Sequence, residues 1–368
     1  MTARPSRHDR LPLTYDECRA RFRHVLADRG IPWVAHPITA RGPDEQRLTI
    51  DVAHLGTTRP ARALLVLSGV HGVEGFIGSA LQCDLVGRLD PGALPANLAV
   101  VLVHAVNPWG MAWWRRQNEH NVDLNRNWRR DDVEPVHNDA YDEVHALACP
   151  DTPSMPELDQ LLSFAAELVA TRGVVWLRDA LTAGQYRHPD GLHFGGDRTE
   201  ESNRTLEHIV REHLSGVERL FTIDLHTGHG PRGEATALSD APPGSPQDRF
   251  LREALPHGRV EPTVDNPDAT TGRKSGQIAN GIRHLLPDAT CYATSLEIGT
   301  ASDEEQIIAT YQEQWVHRRG DQRDPAHAAA VWRYRCCFTP DDPEWERQAL
   351  AIGAAQLDSA LHAVSAWT

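Results

Sequence analysis

Three short constellations in the chain carry residue types suited to hydrolysis. His71 and Glu74, with two residues between them, can both reach one metal ion, because imidazole and carboxylate are ordinary zinc ligands. His226 adds a third ligand of the same kind, which leaves one position of a four-coordinate ion open for water. Glu297 is then available as the general base for that water, whose pKa such an ion lowers toward ~7. The polar tract Arg115-Arg116-Gln117-Asn118-Glu119-His120-Asn121-Val122-Asp123-Leu124-Asn125-Arg126-Asn127-Trp128 supplies guanidinium groups. Such groups polarise a scissile carbonyl, stabilise its oxyanion and clamp a substrate carboxylate. Taken alone, His-x-x-Glu arises by chance in many chains and reads equally as a turn with a solvated Glu and a packed His.

What joins these residues is the type of element that each one ends. Residues 63–70 form an apolar run that closes on Gly69-Val70-His71-Gly72-Val73-Glu74-Gly75. Leu220-Phe221-Thr222-Ile223-Asp224-Leu225 runs into His226-Thr227-Gly228-His229-Gly230, and Tyr292 to Gly299 carries Glu297 near its end. Runs of this kind read as strands buried on both faces of a largely parallel sheet. The carboxyl ends of parallel strands share one sheet edge, so the three groups converge there. Gly72 and Gly75 let the first turn fold tightly.

The other elements follow the usual start and stop signals. A helix is expected over 14–29, with Thr14 as its cap and Gly30 as its stop. Residues 31–38 and 48–53 read as an antiparallel edge, and a helix follows over 76–89. The run 98–106 is a further buried strand, ending in the turn Asn107-Pro108-Trp109-Gly110; His104 within it reads as a packed residue. Residues 131–156 read as an irregular excursion, 157–184 as a helix broken at Gly173, and 184–196 as a glycine-rich loop. A helix is expected over 203–214, mostly loop with a short helix near 247–255 over 231–276, and helices over 302–317 and 343–364. No internal repeat and no linker divides the chain, so residues 1–368 read as one domain, its motifs within about 60–300.

Composition narrows the class. Lysine and arginine number 37 against 51 aspartates and glutamates, a net charge of −14, which argues against a nucleic-acid partner. The six cysteines show no C-x-x-C spacing and point to reduced, cytoplasmic usage. The first ten residues lack the apolar core of a secretory signal, and no apolar stretch is long enough to span a bilayer.

With His71-Gly72-Val73-Glu74, Asn107-Pro108-x-Gly110, Arg115-Arg116, Asn125-Arg126-Asn127-Trp128, Leu225-His226 and Leu296-Glu297 in this order, the chain resembles the zinc carboxypeptidases related to carboxypeptidase A. The resemblance is to a bacterial branch with His-Gly-Val-Glu-Gly and Asp-Leu-His-Thr-Gly motifs. It implies a three-layer α/β/α fold with a mixed, mostly parallel sheet, and one zinc ion per chain on His71, Glu74 and His226 with Glu297 as base. It implies Arg115, following Trp114, as the oxyanion arginine with Arg116 as its rival, and Asn125 and Arg126 as the pair that holds the substrate's terminal carboxylate. The substrate implied is a small peptide or an acyl-amino acid with a free carboxylate. Deacylation of N-acyl amino acids, as by aspartoacylase-like relatives, is the alternative activity, and a non-catalytic peptide-binding protein is a third.

Departures from that pattern bear on specificity. The loop before the Glu297 strand reads Thr270-Thr271-Gly272-Arg273-Lys274-Ser275-Gly276 and lacks the mobile tyrosine of digestive carboxypeptidases. Arg273 and Lys274 are either a solvated loop or a contact for an acidic group on the substrate. His229 reads as a turn residue or as a partner to the metal ligands. Tyr186 either lines the pocket or covers the sheet. Trp113, Trp114 and Trp128 read as packing residues.

Overall fold

The apolar run of β3 (Arg62–Ser68) sits between two parallel neighbours, β4 (Leu98–His104) and β5 (Arg219–Arg232). Alternation along β3 divides its side chains between two cores. Leu64 and Val66 join one with Phe221, Ile223 and Leu225, whereas Ala63, Leu65 and Leu67 join the other with Val101 and Val103. Both faces must therefore be covered by helices, and the rest of the chain provides them.

The computed structural model describes residues 11–128, 137–263 and 274–367. Among these, an eight-stranded mixed sheet runs in the order β1-β2-β4-β3-β5-β8-β6-β7, with β1 (Trp33–Arg41), β2 (Arg47–Gly56), β6 (Ala235–Ser239), β7 (Arg259–Pro262) and β8 (Thr290–Gly299). The pairs β4–β3, β3–β5, β5–β8 and β6–β7 are parallel, and β1–β2, β2–β4 and β8–β6 are antiparallel. The layered α/β architecture and the antiparallel edge formed by β1 and β2 are as expected from the sequence.

Helix α1 (Tyr15–Asp28) starts at a reciprocal cap between Thr14 and Glu17. It is followed by α2 (Gly75–Arg88), α3 (Pro108–Ala112), α4 (Asp139–Ala148), α5 (Leu158–Arg172), α6 (Val174–Thr182) and α7 (Glu201–Leu214). The later helices are α8 (Pro246–Ala254), α9 (Ile278–Gly281), α10 (Asp303–Arg319), α11 (Pro325–Phe338) and α12 (Pro343–Ala366). One face of the sheet is covered by α2, α8 and α12, through Ile77, Leu81, Leu251, Trp345 and Leu357. The other face carries Leu206, Ile209 and Val210 of α7 and Ile278 of α9.

Three expectations change. The segment 231–276 contributes β6 and β7 to the sheet, because the short run Ala235–Ser239 pairs antiparallel with β8. Residues 131–156 contain α4, whose Tyr141, Val144 and Leu147 face α5 and α6. Helix α11 lies between the two C-terminal helices read from the sequence, started by the Asp324 cap and Pro325. Arg273 and residues 270–272 lie outside the described residues.

Candidate metal centre

His71 and Glu74 sit on a single tight turn between β3 and α2. That turn is laid against the polar tract, with Val73 N–H donating to the Arg115 carbonyl at 2.9 Å and Gly72 N–H to that of Arg116 at 3.4 Å. The approach is so close that a Cβ on Gly72 would lie 2.0 Å from the Gly110 carbonyl carbon and 2.1 Å from Met111 N. Glycine is required there by contact with neighbouring backbone. His226 reaches the same point from β5, where it is register partner of Glu297 on the parallel neighbour β8. Paired residues of adjacent strands face the same side, so the sheet itself puts Glu297 beside His226.

The structure brings His71, Glu74 and His226 together, with one potential ligand atom from each within 4.8 Å of the others. All three are buried, at 4%, 2% and 1% exposure, which is unusual for groups that carry or attract charge. His71 Nδ1 lies 2.9 Å from Glu74 Oε1, and His226 Nδ1 lies 2.8 Å from Glu74 Oε2. The outer nitrogens face other carboxylates: His71 Nε2 is 3.2 Å from Asp123 Oδ1, and His226 Nε2 is 2.7 Å from Asp224 Oδ2.

This arrangement tests whether a metal fits. When each Nε2 carries its proton toward an aspartate, each Nδ1 lone pair faces a Glu74 oxygen, lone pair against lone pair. A proton or a cation must lie between them. The neighbouring imidazoles hold the Glu74 carboxyl below its usual range despite burial, and Asp224 with Glu74 raises His226 well above its own, again against burial. A divalent cation satisfies all three groups at once, and two histidines with a carboxylate are a zinc donor set. The residues fit the ion.

Asp123 and Asp224 were not singled out in the sequence. Asp224 carried a signal, because two residues before His226 on a strand means the same face. Asp123 is fully buried and is tied to His71, to Arg116 Nε at 3.1 Å, to His193 Nδ1 at 3.1 Å and to the Asn125 N–H at 2.9 Å. Arg116, Arg126 and His71 hold its carboxyl well below the usual range, although burial acts the other way. Burial pushes His193 down to about 3 in spite of that carboxylate. His229 donates its backbone N–H to Glu297 Oε2 at 3.4 Å, and its ring lies 3.0 Å from Glu261.

The arginine expectations need one correction. Arg115 does not face the cluster. Its Nε pairs with Glu313 of α10 at 2.9 Å, and its Nη2 reaches the amide oxygens of Gln117, Asn121 and Gln314. The guanidinium is spent on a buried anchor for the C-terminal helices. Arg116 faces the cluster instead, with Nη1 3.1 Å from Glu74 Oε1 and Nε on Asp123.

Asn125 and Arg126 form a buried turn next to Asp123, but not with free head groups. Asn125 Oδ1 accepts from Ile278 N–H at 2.9 Å. Arg126 donates to the carbonyls of Asn125 and Thr182, both at 2.9 Å, while its Nε is buried with no partner among the described residues. Tyr186 donates its hydroxyl to the Arg126 carbonyl at 2.7 Å, and so braces the turn. Asn118, Asn121 and Asn127 likewise spend their amides on the loops around 184–200. Trp113 and Trp114 hydrogen-bond to the Arg41 and Leu13 carbonyls, and Trp128 is in the core.

The fold and this cluster place the chain in a class: an α/β protein with a mixed sheet and a His-Glu-His centre at its edge. Solved structures similar in fold include metallocarboxypeptidases. Carboxypeptidase A from Helicoverpa armigera is 13% identical, with a TM-score of 0.49 and coverage of 95% of this chain and 77% of that one. A metallo-carboxypeptidase from Burkholderia cenocepacia is 14% identical, with a TM-score of 0.43 and coverage of 96% and 70%. Thrombin activatable fibrinolysis inhibitor is 10% identical, with a TM-score of 0.46 and coverage of 93% and 78%. No curated protein sequence matches the chain. Residues 12–352 match the model of the family described as Protein of unknown function (DUF2817), and the chain belongs to that family.

Proposed function

We propose that this protein is a zinc-dependent hydrolase that cleaves an amide or peptide bond next to a free carboxylate. The observation that carries the reading is the facing of the His71 and His226 lone pairs on Glu74, with Glu297 in register beside His226. His71, Glu74 and His226 would hold the ion, which when bound lowers the pKa of water and polarises a carbonyl. Asp123 and Asp224 orient the two imidazoles and keep their protons on the outer nitrogens.

Glu297 takes the proton of the attacking water and returns it to the departing nitrogen, a pair of roles open to a partly exposed carboxylate. Arg116 is at the cluster and meets the negative charge that develops on the carbonyl oxygen. Arg126, buried with an unpartnered Nε, receives the substrate's carboxylate together with Asn125. In this reading residues 1–368 act as one catalytic domain. Its six unpaired cysteines accord with a cytoplasmic setting. No helix among the described residues is long and apolar enough to cross a membrane.

Removal of an acyl group from an amino acid breaks the same type of bond with the same groups, so the substrate decides the name. Metal analysis of purified protein is expected to give one zinc per chain, and Glu297→Gln to abolish turnover while keeping the metal. A panel of N-acyl amino acids, dipeptides and longer peptides separates deacylase from peptidase. Full activity in metal-free protein would overturn the proposal, and a zinc-loaded protein inert to the whole panel would favour a binding role.

A further inference from the structure

Among the described residues Lys274 is a cation near the site for which the proposed hydrolysis has no task. Its neighbours in sequence are pinned to the Asn125–Trp128 turn. Trp128 N–H donates to the Gly276 carbonyl at 3.0 Å, Ile278 N–H to Asn125 Oδ1 at 2.9 Å, and Ser275 Oγ lies 3.3 Å from the Tyr186 hydroxyl. Gly276 is pressed so close that a Cβ there would lie 2.2 Å from the Arg126 carbonyl oxygen, with φ at +68°. The segment that carries Lys274 is thereby packed on Arg126, and the ammonium feels the charges of Arg126, Glu297, Arg116 and Asp123.

Among the described residues Lys274 makes no hydrogen bond or ion pair, and it stays partly exposed. Among the described residues Arg126 is 1% exposed, has an orphaned Nε and finds no carboxylate within hydrogen-bond distance. Two cations brought together by this packing, one of them buried and neither with a carboxylate at hydrogen-bond distance among the described residues, form a seat for anionic ligand groups. Burial and the positive charge of Arg126 and Arg116 pull the ammonium down to about 8, against Glu297 and Asp123, and it is still mostly charged at neutral pH.

We propose that Lys274 and Arg126 together bind two carboxylates of one substrate residue, so that the preferred substrates are N-acyl or peptidyl derivatives of aspartate or glutamate. The inference rests on the hydrolase reading for the position of the scissile bond. The α-carboxylate goes to Arg126 and the side-chain carboxylate to Lys274, because Gly276, two residues after the lysine, is packed on the backbone of Arg126.

The test compares N-acetylglutamate with its side-chain amide, N-acetylglutamine, by calorimetric titration of zinc-loaded Glu297→Gln protein, which leaves both ligands intact. A charge-assisted contact predicts that the acid binds about 10- to 100-fold tighter than the amide. Lys274→Met is expected to abolish that ratio, and Lys274→Arg to restore most of it. Equal binding of acid and amide, no binding of either, or an unchanged ratio in Lys274→Met overturns the proposal. Hydrolysis is read separately with the unsubstituted protein. Turnover of neutral N-acyl amino acids with no acid preference rejects the two-cation seat alone, whereas an acid preference in binding with no turnover rejects the hydrolase reading alone.

Discussion

Replacing Asp224 by asparagine separates metal binding from fold stability more cleanly than any change to a ligand. The Asp224 carboxylate is fully buried, and its contact is His226 Nε2 at 2.7 Å. Among the described residues no arginine pairs with it, and His226 keeps a second carboxylate, Glu74, at 2.8 Å when its charge is removed. Loss of such a partner behind a metal-binding histidine typically weakens the metal by about 10- to 100-fold, or about 1.4–2.7 kcal/mol. For 368 residues the unfolding entropy is such that 1 kcal/mol moves Tm by about 1.3 °C. Saturating zinc should then raise the Tm of Asp224→Asn by about 2–3.5 °C less than it raises the parent, at equal free metal.

Without metal the variant should melt within about 2 °C of the parent, since His226 keeps Glu74 at 2.8 Å when the buried carboxylate behind it is exchanged for a neutral amide. Asp123→Asn provides the contrast. It removes the charge that faces Arg116, His71 and His193 and turns one of the two accepting oxygens into an NH2 that meets donors, so the metal-free protein should lose about 3–5 kcal/mol, or about 4–6 °C. Zinc affinity from chelator competition, with melting curves at several zinc concentrations, measures both quantities. A Kd for Asp224→Asn within threefold of the parent, or a metal-free Tm as low as that of Asp123→Asn, would refute the reasoning.

Arg115→Ala should destabilise the fold by about 3–5 kcal/mol by stranding buried Glu313, and Arg115→Met with Glu313→Leu should recover most of it in urea titrations. Arg116→Ala should instead fold and bind zinc but lose about 10²–10³ in kcat, so a larger kcat loss in the Arg115 double variant would reassign the oxyanion role. Gly72→Ala should drive the turn off Gly110 and Met111 and leave substoichiometric zinc, as read by metal analysis of folded protein. His104, buried between Phe22 and Ser79, is pushed down to about 4 by burial. Below the unfolded value of 6.5 the unfolded chain binds the extra proton, so stability falls as pH drops from 6.5 to 4, by about 3 kcal/mol from this residue. The pH dependence of the urea midpoint should flatten over that range in His104→Gln.

Most of the elements were legible because their signals are local. Buried strands β3, β4, β5 and β8 announce themselves as apolar runs, and α1 by its Thr14–Glu17 cap. Strands β6 and β7 were not legible, since a five-residue run of mostly small residues and a four-residue run gain strand character only from pairing, β6 with β8 and β7 with β6. Helix α11 left a readable start at Asp324-Pro325, but its polar and apolar residues intermix because its buried side includes Arg335, stacked on Phe76, Trp114 and Trp332. The role of the C-terminal helices was invisible for a different reason. Glu313 and Gln314 of α10 hold Arg115, and Thr339 after α11 donates to the Val73 carbonyl inside the ligand turn, across separations of more than 190 residues.

By itself the sequence determined the residue types and their strands: His71 and Glu74 after β3, His226 in β5, Glu297 in β8. Strand alternation and the shared edge of parallel strands are enough to bring those groups to one place. Tertiary structure decided which of two adjacent arginines faces them. Arg115 and Arg116 have the same chemistry and differ only in what lies opposite, Glu313 on one side and Glu74 with Asp123 on the other. It also decided which aspartates stand behind the histidines, and that the segment carrying Lys274 packs on Arg126. Each of these depends on partners brought from distant parts of the chain, and no local spacing encodes such a meeting.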